Sequence, residues 1–265
     1  MKKLKRFSKM LLIISSLLFI AFVSYDTLKQ DKEPPVITCP ESELKVSVSD
    51  KEDVYLKDVT AKDNKDGDVS DSVVVEKISA FTDEGYRIIT YAAIDEYGNV
   101  GRATRKLKYT DYTKPVIYLN DDLRIKVDDY NADIRQHISA TSELDGDISS
   151  KVKVTESDDA YIWEEGTMEL ELSVTDSAGT KVTLPVKLDI YNPKEEEDLL
   201  LSEYIVYLDA GSEFDAMSYY NDNYPTEDIN IESNVDMANA GVYDVVYSYE
   251  MDKMTRKARL VVVVL

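Results

Sequence analysis

Three stretches of this chain alternate apolar and polar residues, turn, and alternate again. They are "EGYRIITYAAIDEYGNVGRATRKLKY" (84–109), "EGTMELELSVTDSAGTKVTLPVKLDI" (165–190) and "AGVYDVVYSYEMDKMTRKARLVVVVL" (240–265). Strict alternation puts one side chain in two on the same face of an extended strand, so one face is buried and the other solvated. The inward sets are Met168, Leu170, Leu172 and Val174 in the second copy and Tyr243, Val245, Tyr247 and Tyr249 in the third. In the first copy they are Arg87, Ile89, Tyr91 and Ala93, so its first position departs from the apolar rule. The turns "DEYGN", "DSAGT" and "MDKM" join two strands into a hairpin, with Gly or Asn accommodating the unusual dihedrals. The copies recur about every 80 residues, and "DGDVS" (66–70) recurs as "DGDIS" (145–149). Short strands with turns every 8–12 residues predict an all-β chain of tandem β-sandwiches.

The N-terminus is of another kind. Lys2, Lys3, Lys5, Arg6 and Lys9 make residues 1–9 basic, and an unbroken apolar run, "MLLIISSLLFIAFV", occupies 10–23. Such a run is a targeting segment rather than part of a core. With no small-x-small cleavage site after it, residues 10–25 are expected to remain as a signal-anchor helix. Cleavage and secretion is the alternative. Basic residues stay on the cytoplasmic side, which puts the chain from residue 26 onward outside the cell in either case. Expected boundaries are a cytoplasmic n-region at 1–9, the anchor at 10–25, a linker at 26–33, and domains at 34–110, 111–192 and 204–265. A second linker is expected at 193–203, and "RLVVVVL" reads as a final strand.

The formal net charge is −21, although five positive charges lie in the first nine residues. So acidic a surface repels nucleic acid and anionic lipid, and attracts divalent cations. A single Cys (Cys39) precludes an internal disulfide, so packing alone must hold the fold.

"PPVITCPES", "VTAKDNKDGDVSDSVVV" and "DEGYRIITYAAIDEYGNVGRATRKLKYTD" together resemble the bacterial immunoglobulin-like (Ig-like) domain known from a pesticidal crystal protein, similar in pattern to hyalin-type repeats. The second copy keeps "ATSELDGDIS" and "VTDSAGT"; the third keeps "GVYDVVYSY" and the last hairpin. The resemblance implies three tandem Ig-like β-sandwich domains on a Gram-positive cell surface, acting as spacers, adhesive modules or accessory domains. It implies no defined ligand, since fold alone does not give function.

The acidic loop "DNKDGDVSD" (63–71) admits two readings. An EF-hand is excluded: aligning Gly67 with the loop's invariant glycine puts Lys62 at position 1 and Val73 at position 12, where carboxylates are required. In a sandwich, however, this loop and the last hairpin lie at one end. Asp63, Asp66 and Asp68 then approach Asp95 and Glu96, and Asp145 and Asp147 approach Asp176, with Asp111 of the preceding linker nearby. These seven aspartates, Asp63, Asp66, Asp68, Asp95, Asp145, Asp147 and Asp176, are the candidate calcium ligands. Alternatively, they cap their own turns. The third copy has Met251 where the hairpin aspartate would be and is expected to lack a site.

No HExxH, GxSxG or glycine-rich phosphate loop is present. His137 reads as a strand-edge residue, Cys39 as a partly buried packing residue and Trp163 as a plug at a sandwich end. No catalytic residue and no cofactor other than calcium is expected. Tyr219, Tyr220 and Tyr224, in "MSYYNDNYP", are the candidate ligand contacts. The expected protein is a membrane-tethered, non-enzymatic stalk, adhesion or protein-interaction module. The alternative is a carbohydrate-binding accessory protein of the cell envelope. Its expected partners are the membrane, through residues 10–25, and an envelope polysaccharide or another surface protein, but not nucleic acid.

Overall fold

The structure is a computed structural model describing residues 2–29, 31–127, 129, 132–156, 164–221, 228–251 and 253–265. Helix α1 spans Lys2–Lys29. Its segment Phe7–Tyr25 is long and apolar enough to cross a membrane, and none of it is covered by protein. The chain then divides into two compact units, Met1–Thr110 and Asp111–Leu265.

The first unit holds one sandwich. Strands β1 (Val36–Thr38), β3 (Thr60–Asp63) and β4 (Gly67–Asp68) form a small antiparallel sheet in the order β1-β3-β4. The larger sheet has the order β2-β7-β6-β5, from β2 (Glu43–Val46), β5 (Val74–Ile78), β6 (Arg87–Ile94) and β7 (Val100–Tyr109). Strands β6 and β7 are the repeat's long hairpin, in register from Arg87↔Leu107 to Ile94↔Val100. The alternating set Arg87, Ile89, Tyr91 and Ala93 is buried throughout. Arg87 joins it because its head is satisfied: Nε donates to the Ser79 carbonyl at 2.6 Å and Nη1 to the Tyr109 hydroxyl at 3.5 Å. Tyr91 buries its ring and donates its hydroxyl to the Tyr55 carbonyl at 2.8 Å, leaving no polar orphan at its tip.

The second unit repeats this topology strand for strand. Strands β8 (Val116–Leu119), β10 (Ile138–Ser142) and β11 (Gly146–Asp147) make the small sheet. Strands β9 (Arg124–Lys126), β12 (Lys153–Glu156), β13 (Gly166–Thr175) and β14 (Lys181–Tyr191) make the large one, ordered β12-β13-β14-β9. The same unit holds a five-stranded sheet built on the third hairpin, β18 (Gly241–Met251) and β19 (Met254–Val264). There β17 (Asn230–Ser233) pairs with β18, while β15 (Glu196–Asp198) and β16 (Ile205–Leu208) both pair parallel with β19.

The segment 193–203, expected as a linker, is thus built into the fold. Its charged part supplies β15, and Leu199 and Leu201 enter a single buried cluster. That cluster runs from Ile117, Leu172 and Val186 to Val245, Tyr247 and Leu260, so 111–265 has one continuous core rather than two separate ones. Around it run buried polar contacts. Arg259 pairs with Asp189 at 2.8 Å, and its backbone N–H donates to Asp122 at 3.0 Å. Arg124, stacked on the Tyr191 ring, donates to the Lys257 carbonyl at 2.8 Å and to Asp198 at 3.1 Å. Tyr207 donates to the Ile117 carbonyl at 2.7 Å.

Burial pushes the Asp122 carboxyl up to about 7, against the opposing pull of the Arg259 N–H and of Arg124. The folded state therefore keeps a proton that an unfolded aspartate, near pKa 3.9, releases. This contribution to stability is complete below about pH 4 and is lost as pH rises through about 7. Asp122→Asn removes the titration but keeps an oxygen for the Arg259 N–H. Melting temperatures measured from pH 5 to 8 are expected to show the variant gaining on the parent as pH rises. Parallel curves would contradict this account of Asp122.

Candidate metal centre

At one end of the first sandwich, three aspartates come together from three parts of the chain. Asp31 precedes β1, Asp63 ends β3, and Asp95 opens the turn between β6 and β7. All three are buried, and one carboxylate oxygen from each lies within 4.8 Å of those of the other two. Among the described residues they are the only such group of three.

Each aspartate also has a local task. Asp63 Oδ1 accepts the N–H groups of Lys65 (2.8 Å) and Asp66 (3.0 Å), folding the acidic loop into a turn with Gly67 at positive φ. The Asp66 N–H, then the Lys65 N–H, hold the Asp63 carboxyl below the usual carboxylate range. Asp95 Oδ1 accepts the Asn99 N–H and Oδ2 its side-chain amide, both at 2.7 Å. Asp31 Oδ1 accepts the Glu33 N–H at 3.0 Å. Asp31 Oδ2 and Asp63 Oδ2 remain buried with no hydrogen-bond partner. Lys65 stands over this edge, with Nζ 3.9 Å from Asp31 Oδ2 and 5.6 Å from the Tyr97 ring centre.

Asp31 reaches the site because the chain beside it is pinned. The Pro35 backbone crosses Gly101 on β7 so closely that a Cβ there would lie 1.8 Å from the Pro35 carbonyl oxygen. No side chain fits that gap, which explains the glycine in an otherwise alternating strand.

Of the seven expected calcium ligands, the structure gathers Asp63 and Asp95 and adds Asp31. The other five are placed elsewhere. Asp66 Oδ2 accepts the Glu96 N–H at 2.8 Å and ties the two loops together. Asp145 does the same in the second sandwich, accepting the Ser177 N–H at 2.7 Å and pairing with Lys151 at 3.0 Å. Asp68 and Asp147 each accept a hydroxyl and an N–H, from Ser70 and Ser149 respectively, as turn caps. Asp176 accepts the Thr180 N–H at 2.8 Å and the Tyr112 hydroxyl at 2.6 Å. A sequence signal for Asp31 did exist: it and Asp111 stand at the same distance before the matching "PVI" of their repeats.

The tyrosines expected to contact a ligand form no exposed platform. Tyr220 is buried, and Tyr219 is half-buried and stacked on Phe214 with ring centres 5.9 Å apart. Tyr224 and Trp163 lie outside the described residues. His137 ends a short 3-10 turn (Ile134–His137) rather than a strand, 3.5 Å from Asp121. Cys39 is half-buried, and burial raises its thiol pKa.

Gly101→Ala tests the pinning. The backbone of residues 34–35 must move, and overpacking of this kind costs about 1–3 kcal/mol. A lowered unfolding midpoint is expected in urea. An unchanged midpoint would show that the Pro35–Gly101 contact does not hold Asp31 in place.

Residues 30–109, the first sandwich with Asp31 included, match the HYR domain. The pesticidal crystal protein Cry22Aa of Bacillus thuringiensis is 29% identical over 206 residues, which are 75% of this chain and 28% of that protein. The chain thus spans little more than a quarter of this relative's length. Among solved structures, the CBM51-2 and INT domains of Clostridium perfringens ZmpB are 14% identical, with a TM-score of 0.24 over 58% of this chain and 41% of that one. Human CDH23 EC21-23 is 12% identical, with a TM-score of 0.23 over 87% and 100%. Neither superposition is close enough to carry an argument. Residues 30–109 are thus similar to Ig-like domains of the HYR type, and the chain is similar in sequence to part of the pesticidal crystal protein.

Proposed function

We propose that the chain is a membrane-tethered, extracellular, non-enzymatic module of Ig-like sandwiches that acts as a stalk or adhesion element and engages another surface protein. The observation that carries this reading is an uncovered apolar helix, Phe7–Tyr25, followed within a few residues by an HYR domain. Basic residues precede the helix and an acidic, β-rich chain follows it. This is the charge order of a segment whose C-terminal side faces outward. A Gram-positive cell surface is the setting this implies.

A polysaccharide partner has less support. Among the described residues the aromatic platform it needs is missing, because Tyr220 is buried and Tyr219 packs on Phe214. The third hairpin region, with the sheet β15–β19, remains the favoured contact module, since its sequence diverges most from the other two copies.

Protease treatment of intact cells tests the topology. The full-length chain is expected in the membrane fraction, with the 31–265 region digested by external protease while a cytoplasmic marker survives. Protection of that region in intact cells would overturn the reading. Its release into the medium would replace the tether with secretion.

A further inference from the structure

The first two sandwiches differ at the end where Asp31, Asp63 and Asp95 meet. The positions equivalent to these three are Asp111, Ser142 and Asp176. Ser142 keeps one of the Asp63 roles: its Oγ accepts the Leu144 N–H at 3.2 Å, as Asp63 Oδ1 accepts the Lys65 N–H. One oxygen therefore suffices for the turn. The second oxygen of Asp63 is surplus to it, and that oxygen is buried without a hydrogen-bond partner. In the second sandwich the Tyr112 hydroxyl donates to Asp176 Oδ2. The position equivalent to Tyr112 in the first sandwich is Lys32, whose side chain is exposed.

A buried carboxylate oxygen with no donor loses its hydration and gains nothing in return. Three carboxylates at this spacing also repel one another, and their burial removes the water that would screen them. Among the described residues Lys65 stands at ion-pair distance, 3.9 Å from Asp31 Oδ2, on a side chain that is nearly half exposed. A bound cation resolves both costs. Calcium binds oxygens at about 2.3–2.6 Å, so two of its ligands stand up to about 4.6–5.2 Å apart. These oxygens all lie within 4.8 Å of one another, inside that span.

We propose that Asp31, Asp63 and Asp95 bind one divalent cation of the calcium class, and that the second sandwich has lost the equivalent site to Ser142 and Tyr112. Water and backbone oxygens complete the six to eight ligands such a cation takes. Asp31 follows the end of helix α1 at Lys29 by two residues. The cation therefore clamps the segment leaving the helix to the β3–β4 loop and the β6–β7 turn of the first sandwich. Lys65 is the competing internal cation and swings away on binding.

The test is calorimetric titration of the full-length chain in detergent micelles, stripped with chelator, using calcium chloride and then magnesium chloride. One saturable calcium site per chain is expected, with a dissociation constant between about 10 µM and 1 mM, and weaker binding of magnesium. Asp63→Asn and Asp31→Asn are each expected to weaken it at least tenfold. Asp31 lies outside the strands, so its variant keeps the test open if Asp63→Asn fails to fold. Asp145→Asn is expected to leave binding unchanged, and Lys65→Met to tighten it. The proposal is overturned if binding does not saturate, if it survives both Asp63→Asn and Asp31→Asn, or if Asp145→Asn abolishes it equally. It is also overturned if calcium binds only once Lys65 is removed, for then Lys65 is the permanent counter-ion.

Discussion

Burying Arg259 next to Asp189 constrains everything around it. Taking two charges out of water costs several kcal/mol per ion, and only close pairing with further hydrogen bonds offsets that cost. The pairing is close: Asp189 accepts from Arg259 Nε and Nη2, and also from the Thr167 hydroxyl at 2.6 Å. These partners come from β19, β14 and β13, so the last strand of the chain is held against the long hairpin of the second sandwich. Arg124 makes a matching set of contacts with Asp198 and the Lys257 carbonyl. The apolar cluster between them supplies the driving force, and the ion pairs fix which strands share it. Displacing β19 would take Arg259 from the buried Asp189 and the Lys257 carbonyl from Arg124.

The two units manage polar burial differently. In 111–265 buried charges meet opposite charges, and the core extends past the limits of any single repeat. In the first unit, three carboxylates meet each other, with one lysine at the margin. At the same end the second sandwich has a serine in the turn and a phenol over Asp176. Two copies of one topology thus carry separate solutions at the same place, and the difference lies in two positions, Asp63 against Ser142 and Lys32 against Tyr112.

Much of this was legible in the sequence. Period-2 alternation located all three hairpins, and the inward sets are buried down to Arg87, apart from Met168 and Tyr243, which are half-buried. The two "DGD" motifs marked the loops that meet the hairpin turns. The roles within those loops were not legible. Asp66 and Asp145 grip a neighbouring N–H, Asp68 and Asp147 cap serines, and among these loop aspartates Asp63 is the one with a buried oxygen that lacks a hydrogen-bond partner. Spacing alone does not separate those tasks, because each depends on which donor the folded loop presents. Asp31 was overlooked because its place depends on a distant glycine: Gly101 lets Pro35 cross β7. The segment 193–203 misled for another reason. Its "KEEED" reads as a solvated linker, while the following leucines belong to a core made by other strands.

Hydrogen exchange followed residue by residue in the native full-length chain tests the shared core of 111–265 most directly. Strands β13, β14, β18 and β19 are expected to open together, at one common free energy, because the cluster and the Arg259–Asp189 pair span all four. Opening of β18 and β19 at a clearly lower free energy than β13 and β14 would contradict the account. It would show a third domain that folds and unfolds by itself.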